Sequence, residues 1–126
     1  MLNNAIPVIH VADAVAAEQF YCQLLGFRLV ASWRSDEKLP NPAYLTVERD
    51  CVRLHLTSFK DGTVGTWTSN VYVFVDDVDE LFDELKSRGV ATVNSPVDQS
   101  WGTREFGVRD ADRNVISFGQ RRAEKS

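Results

Sequence analysis

The sequence has few cysteines and no long hydrophobic run. Its 126 residues include two cysteines, Cys22 and Cys51, which are too few for the disulfide framework of a small secreted domain. We predict that both thiols are reduced and lie in the core, with a redox or ligand-binding role as the alternative. No apolar stretch reaches the about 18 residues of a membrane-spanning helix, and the first residues do not read as a signal peptide. We therefore expect a cytoplasmic protein that has no membrane partner.

Basic residues are also in the minority. Lys and Arg number 14 against 18 Asp and Glu, which gives a net charge of −4. A general nucleic-acid-binding domain is usually basic, so we expect no nucleic-acid partner. An acidic surface is instead compatible with a cationic small ligand. With 44% hydrophobic residues, a chain of this length can bury enough apolar surface to form one ordinary domain.

The most informative feature is an internal repeat with an offset of about 60 to 64 residues. A short segment that contains valine and aspartate, at residues 11–13 and 75–77, precedes a helical pattern in each half. An Arg-Asp turn, at residues 49–50 and 109–110, precedes the last predicted strand of each half.

The repeat predicts a single domain, residues 1–126, that is built from two modules. The first covers about residues 1–60 and the second about residues 68–120, and each contains a strand, a helix and three further strands. Residues 121–126 are charged and are expected to form a frayed tail.

Both predicted helices have a polar N-cap and end at a glycine. Asp13 and Gly26 bound the first helix, while Asp77 or Asp79 caps the second and Gly89 ends it. Apolar residues at helical spacing form a stripe on each helix that would face the core. The stripes are Ala16, Phe20 and Leu24 on the first helix, and Val78, Leu81, Phe82 and Leu85 on the second.

The predicted strands alternate between aliphatic and polar residues, and this alternation assigns their two faces. Aliphatic residues such as Leu54 and Val73 are expected to lie under the helices. The opposite faces carry tyrosine, histidine, asparagine, arginine and serine, whereas a solvated face is usually richer in lysine and glutamate. We therefore predict that these faces line a cleft.

Long connections that carry aromatic residues are candidate walls of that cleft, because loops often hold ligand-binding side chains. The sequence has three such connections. They are residues 31–42 with Trp33, residues 58–69 with Phe59 and Trp67, and residues 94–103 with Trp101.

Residues Trp101 to Asp110 read WGTREFGVRD, which is the most specific motif in the chain. This segment is similar to the WG-x-REF-x-x-RD segment of bleomycin resistance proteins. The doubled βαβββ unit resembles the vicinal oxygen chelate superfamily, which contains those proteins together with glyoxalase I, fosfomycin-resistance thiol transferases and extradiol dioxygenases. Arg113 departs from the family, which often has glycine in the turn before its last strand. We expect Asn114 to adopt the positive φ in that turn instead.

The resemblance implies an α+β fold of two tandem βαβββ modules that form an open half-barrel cleft. It also implies a homodimer, in which the first half of one subunit pairs with the second half of the other. Two clefts would then be related by a two-fold axis.

The resemblance also locates the four strand positions that hold metal ligands in enzymes of the superfamily. In this sequence they are Ile6, His55, Asn70 and Ser117. A catalytic metal needs about three ligands with imidazole, thiolate or carboxylate groups, and among the four positions His55 alone provides one. We therefore expect no bound metal, no cofactor and no enzymatic activity. A nucleophilic pair of Ser117 and His55 is the alternative to a polar lining.

By resemblance, Tyr44 and Trp101 occupy the positions of the aromatic residues that stack on the drug in bleomycin resistance proteins. Two parallel rings can each add about 0.5–1.5 kcal/mol to the binding of a planar heteroaromatic group, beyond the area they bury. Other residues are predicted to line the cleft or to donate hydrogen bonds. They are Trp33, His55, Thr57, Phe59, Trp67, Asn70, Arg104 and Ser117.

Each of these roles has a structural alternative. The aromatic residues would then pack in the core or at a subunit contact, and His55 would be a lining residue without ligand contact. Arg104, like Arg53, would form an ion pair with a nearby carboxylate such as Glu48 or Glu105.

The leading hypothesis is a non-catalytic protein that binds and sequesters bleomycin-type glycopeptide antibiotics. Such a drug carries its own chelated metal ion, so the protein need not supply one. The alternatives are a metal-dependent glyoxalase-like lyase or thiol transferase, and a binder of another planar small molecule.

Overall fold

The computed structural model describes residues 1–59 and 68–123. The chain divides into two compact units, which are Met1–Ser69 (unit 1) and Asn70–Ser126 (unit 2). The boundary lies close to the predicted start of the second module. Within the described ranges, neither helix is long and apolar enough to cross a membrane.

Unit 1 contains one mixed four-stranded sheet and one helix. Helix α1 continues into a π-helical turn at Gln19–Leu24, and the strand order across the sheet is β1-β4-β3-β2. Strand β1 is parallel to β4, and the other neighbours are antiparallel. The elements are β1 (Val8–His10), α1 (Ala14–Glu18), β2 (Arg28–Arg34), β3 (Ala43–Arg49) and β4 (Val52–Ser58).

Unit 2 repeats this topology. Its strand order is β5-β8-β7-β6, with β5 parallel to β8 and the other neighbours antiparallel. The two βαβββ units confirm the predicted repeat and the α+β fold class. The elements are β5 (Asn70–Phe74), α2 (Val78–Ser87), β6 (Val97–Asp98), β7 (Thr103–Arg109) and β8 (Val115–Arg121).

The predicted strand faces are also confirmed. In unit 1, Ile9, Leu54 and Leu56 are buried on the side of the sheet that α1 covers, and the alternate residues point away from the helix. In unit 2, α2 packs on β7 and β8, where Phe106 and Ile116 are buried.

The predicted core stripe of the first helix is wrong by one position. The buried residues are Ala14, Ala17, Tyr21 and Leu25, not Ala16, Phe20 and Leu24. Both sets have apolar residues three or four positions apart, which is helical spacing, so spacing alone did not distinguish them. The Asp13 cap and the π-helical turn set the rotation that buries Tyr21.

The ends of both helices follow the sequence closely. The Asp13 side chain accepts a hydrogen bond from the Val15 backbone N–H, and Asp77 accepts one from that of Glu80. Gly26 and Gly89, which end the helical segments, have φ values of 79° and 88°. These angles favour glycine because it has no Cβ.

The turn before β8 differs from the expectation. Arg113 itself adopts the positive φ, at 68°, and Asn114 does not. Asn114 is buried and donates from its side-chain amide to Asp110 at 2.9 Å, while its backbone N–H donates to the same carboxylate. These bonds fix Asn114, so the left-handed conformation falls on the exposed Arg113.

The two cysteines occupy different environments. Cys51 is exposed, so the prediction that it lies in the core is wrong, whereas Cys22 is partly buried. Burial, and secondarily the charge of Glu18, raises the pKa of the Cys22 thiol. Both thiols are free in the structure.

Candidate functional site

A row of aromatic and polar residues crosses all four strands of unit 1. Trp33 on β2 lies opposite Tyr44 on β3, Tyr44 lies opposite Thr57 on β4, and Thr57 lies opposite His10 on β1. Directly opposed residues share a sheet face and have Cβ atoms about 4.5–5.5 Å apart. We call Trp33, Tyr44, Thr57 and His10 the aromatic row. It lies on the face that α1 does not cover.

The β2 end of the aromatic row forms one wall of a groove of about 480 Å³. Trp33 is 61% exposed and Tyr44 36% exposed, so both rings offer apolar surface to a ligand. A contiguous exposed apolar surface beside a groove is a candidate for ligand binding. The lining residues are Trp33, Pro42, Ala43, Tyr44, Thr57 and Ser58.

His55, a neighbour of Tyr44 on the same sheet face, holds the Tyr44 ring in place. Its hydroxyl oxygen lies 2.8 Å from Nδ1 of His55, and the two rings meet edge to face with centroids 5.1 Å apart. The hydroxyl is therefore engaged within the protein. The ring orientation of Tyr44 is fixed by this bond as well as by its neighbours.

The β1 end of the row is extended by Phe59. This residue directly follows β4, and its ring stacks on that of His10 with centroids 5.6 Å apart and an interplanar angle of 26°. Phe59 is 48% exposed, so the structure does not place it in the core of unit 1.

A hydrogen-bond network supports the floor of the groove. The backbone N–H of Ala43 donates to the Ser58 hydroxyl at 3.0 Å, and that hydroxyl donates to the side-chain carbonyl of Asn41. The same Asn41 oxygen accepts the backbone N–H of Ala14 at 3.0 Å, at the start of α1. The connection before β3 is thereby tied to both the sheet and the helix.

The structure corrects the predicted location of Trp33. The residue was expected in a long connection beginning at residue 31, but β2 continues to Arg34 and places Trp33 in the sheet. Sequence reasoning also missed His10, Pro42 and Ser58 as neighbours of the site. Pairing Trp33 with Tyr44 would have identified the row, because strand register brings these residues together.

In unit 2, the predicted site residues do not belong to an aromatic row like that of unit 1. Asn70 is exposed on β5, and Ser117 on β8 lies opposite Tyr72. Trp101 is 69% exposed in the turn before β7, next to Gly102 with its φ of 101°. The predicted stack of Trp101 with Tyr44 stays a prediction. Trp67 lies outside the described residues.

Arg104 does not share a lining with Ser117, which corrects that expectation. Its partner across the sheet is Gln120, whose side-chain carbonyl accepts the Val78 N–H at the start of α2, so Arg104 lies on the helix side. Arg104 donates to Asp79 at 3.0 Å and to Asp98 at 3.2 Å. Hydrogen bonding to Arg104 lowers the pKa of Asp79.

Arg53 is the other arginine considered for the lining of the cleft. It instead forms an ion pair with a carboxylate, which is the alternative given for it above. Nε of Arg53 donates to the Glu48 carboxylate at 3.0 Å. The two residues are direct neighbours across β3 and β4. This arginine is therefore engaged with an acid rather than available as an isolated positive charge.

The four family metal positions do not fit a metal ion. Ile6 offers no ligand atom, Asn70 and Ser117 offer weak ones, and Nδ1 of His55 is already hydrogen-bonded to Tyr44. Among residues 1–59 and 68–123, no cluster of three or more His, Cys, Asp and Glu side chains is arranged to hold a metal.

Comparison with known families gives a match over most of the chain. The family model of the Glyoxalase/Bleomycin resistance protein/Dioxygenase superfamily matches residues 5–118. A bleomycin resistance protein of Geobacillus stearothermophilus is 30% identical over 134 aligned positions, covering 93% of this chain and 96% of that protein. One from Staphylococcus aureus strain MRSA252 has the same identity and coverage.

Solved structures give the same relationship. A glyoxalase/bleomycin resistance protein from Streptomyces sp. CB03234 aligns with a TM-score of 0.74 and 28% identity, over 94% of this chain and all of that one (100%). TnmS3, described as an antibiotic binding protein from the same strain, aligns with a TM-score of 0.73 and 26% identity, over 96% and 98% of the two chains.

Proposed function

Since the chain belongs to the Glyoxalase/Bleomycin resistance protein/Dioxygenase superfamily, we propose that it binds a bleomycin-type glycopeptide antibiotic and sequesters it without catalysis. The observation that carries the proposal is the exposed pair of Trp33 and Tyr44 beside the groove of unit 1. Two adjacent rings on one sheet face suit a planar heteroaromatic group, as in the bithiazole part of such a drug.

The polar neighbours of these rings suit the rest of a glycopeptide. Thr57 and Ser58 line the groove and bring hydroxyl groups beside the aromatic surface. Binding sites for small molecules commonly combine apolar walls with a few polar groups that orient the ligand. The net charge of −4 also favours a cationic drug.

Protection would follow from sequestration. A bound drug cannot reach DNA, and because it carries its own metal ion, no metal site in the protein is required. The non-enzymatic role is supported by the family metal positions, which hold Ile6, His55, Asn70 and Ser117. Relatives named bleomycin resistance proteins support the drug class.

We also propose that the functional form is a homodimer in the cytoplasm, as the family resemblance implies. In such a dimer, a second aromatic wall would come from Trp101, which is exposed in unit 2. Sedimentation equilibrium over a range of protein concentrations should give twice the mass of one chain. A monomer at concentrations where the drug binds would contradict this part of the proposal.

The direct test is calorimetric titration of EDTA-treated protein with metal-chelated bleomycin. We expect binding of about one drug per chain, and replacing Trp101 by alanine should weaken it by more than about 1 kcal/mol. The matched control is Val15→Ala, which removes an exposed apolar side chain from α1 of unit 1. Absence of binding by the wild-type chain would overturn the proposal and direct the search to other planar ligands.

A further inference from the structure

The hydrogen bond between Tyr44 and His55 has a consequence for the second ring nitrogen of His55. A neutral imidazole has one nitrogen that donates and one that accepts. Which nitrogen carries the proton is set by the hydrogen bond that the other one makes. Among the described parts of the chain, Nδ1 is the ring nitrogen with a partner, 2.8 Å from the Tyr44 oxygen.

The chemistry of the two groups favours Tyr44 as the donor. A phenol O–H is a stronger donor than a neutral imidazole N–H, and an unprotonated imidazole nitrogen is a stronger acceptor than a phenol oxygen. A tyrosine hydroxyl can also rotate its hydrogen toward an acceptor. If Tyr44 donates to Nδ1, the proton of the neutral His55 ring lies on Nε2.

Among the residues that the structure describes, none accepts a hydrogen bond from that Nε2–H group. His55 lies opposite Val8 on β1 and Thr46 on β3, on the sheet face that also carries the aromatic row. Within residues 1–59 and 68–123, the imidazole has one hydrogen bond, the one to Tyr44. His55 is partly exposed on this face, which leaves part of the residue open to solvent and to a bound molecule.

We infer that Tyr44 holds His55 as the Nε2–H tautomer and that His55 thereby donates a hydrogen bond to an uncharged acceptor, such as a carbonyl or a ring nitrogen, of the ligand. This inference rests on the proposed function, since it assigns the donor beside the aromatic row. Tyr44 then has two roles: its ring provides contact surface, and its hydroxyl sets the tautomer of its neighbour.

The tautomer is tested without any ligand. The chain has two histidines, so a long-range ¹⁵N–¹H spectrum near pH 8 contains two imidazole patterns, and a His10→Gln variant assigns them. We expect Nε2 of His55 to be protonated and Nδ1 to be an unprotonated, hydrogen-bonded nitrogen that shifts in Tyr44→Phe. A proton on Nδ1, or no shift in that variant, would overturn the inference.

The donor role is tested with two amide variants of His55. Glutamine can place an N–H near the position of Nε2, whereas asparagine can place an acceptor near Nδ1 for Tyr44 but has no group at Nε2. For metal-chelated bleomycin we expect His55→Asn to raise Kd about tenfold and His55→Gln to raise it less than about threefold. Circular dichroism and the melting temperature should confirm that both variants fold.

The outcomes separate this inference from the proposed function. If wild-type protein binds bleomycin and the order of the two variants is reversed, His55 acts by positioning Tyr44, and the donor role is overturned while the function stands. If wild-type protein binds no bleomycin, the function and the donor role both fail. The NMR experiment still decides the tautomer in that case.

Discussion

Units 1 and 2 share one backbone topology but carry different chemistry on the sheet face away from the helix. In unit 1, the aromatic row contains Trp33, Tyr44, Thr57 and His10. The corresponding row of unit 2, aligned by strand register, contains Val97, Glu105, Gly119 and Phe74. The repeated βαβββ fold therefore fixes where side chains lie, while the residues themselves decide which unit offers a stacking surface.

Gly119 contributes to the difference between the two units, because it makes room for an aromatic ring on the sheet face of unit 2. A Cβ atom at this position would collide with the hydroxyl end of the Tyr72 ring, so that ring lies directly over the glycine. In unit 1 the equivalent positions hold Thr57 and Val8. Unit 2 thus lays an aromatic ring across its sheet, with Tyr72 and Phe74 centroids 5.1 Å apart, whereas unit 1 leaves a groove.

The strongest test of the comparison concerns the cores. Leu54 and Ile116 occupy equivalent positions, and both are fully buried (0% exposed). Replacing either by alanine should lower the free energy of unfolding by about 2–5 kcal/mol. We propose that the two units unfold together as one domain, so each variant should give a single calorimetric transition at a lower temperature. Two separate transitions would show that the units are independent.

The next test compares alanine substitutions at equivalent positions of the two rows in binding experiments. Trp33→Ala removes an exposed ring from the aromatic row and should weaken bleomycin binding by about 1–2 kcal/mol, or about tenfold. Its matched control is Val97→Ala at the equivalent position of unit 2, which should leave Kd unchanged. Equal losses in the two variants would contradict the assignment of the stacking surface to unit 1.

A smaller effect is expected from making unit 2 resemble unit 1. Gly119→Thr would displace the Tyr72 ring, and the resulting strain should lower the free energy of unfolding by about 1 kcal/mol. Chemical denaturation measures this change, and the aromatic proton spectrum should show that Tyr72 and Phe74 have separated. An unchanged Tyr72 environment would mean that Gly119 does not hold the ring in place.

The smallest effect concerns an ion pair on the helix side of unit 2. The Asp79 carboxylate pairs with Arg104, which lowers the pKa of Asp79, so this contribution to stability is present above about pH 4 and is lost as the pH falls through the lowered value. Asp79→Asn should therefore lower the melting temperature slightly at pH 7 and less at pH 2. If the difference in melting temperature between the wild type and Asp79→Asn grew as the pH was lowered, this expectation would be wrong.

The fold was largely predictable because its signals are local. Strand alternation identified the buried faces of residues such as Leu54, and Asp13 and Asp77 marked the starts of the helices. The buried stripe of the first helix was not predictable from spacing, since two neighbouring stripes were equally apolar. The structure distinguishes them, because Tyr21 is fully buried whereas Phe20 is only partly buried.

The candidate site was less predictable because it depends on distant pairing. Tyr44 and His55 were both identified, but their hydrogen bond follows from the register of β3 and β4. Asn41 contacts Ala14 and Ser58, which lie 27 and 17 positions away in the sequence. Because of this separation, no local sequence pattern predicts these contacts. The lining predicted for Arg104 is wrong because its partner, Asp79, lies 25 residues earlier in the first turn of α2.

The strand order has a consequence for biosynthesis. In each unit, the last strand made is an interior one, because β4 lies between β1 and β3 and β8 lies between β5 and β7. The sheet of unit 1 can close once Ser58 has left the ribosome, whereas that of unit 2 must wait for Arg121. At roughly 5–20 residues per second, the unit that carries the aromatic row is complete about 3–13 s before its counterpart.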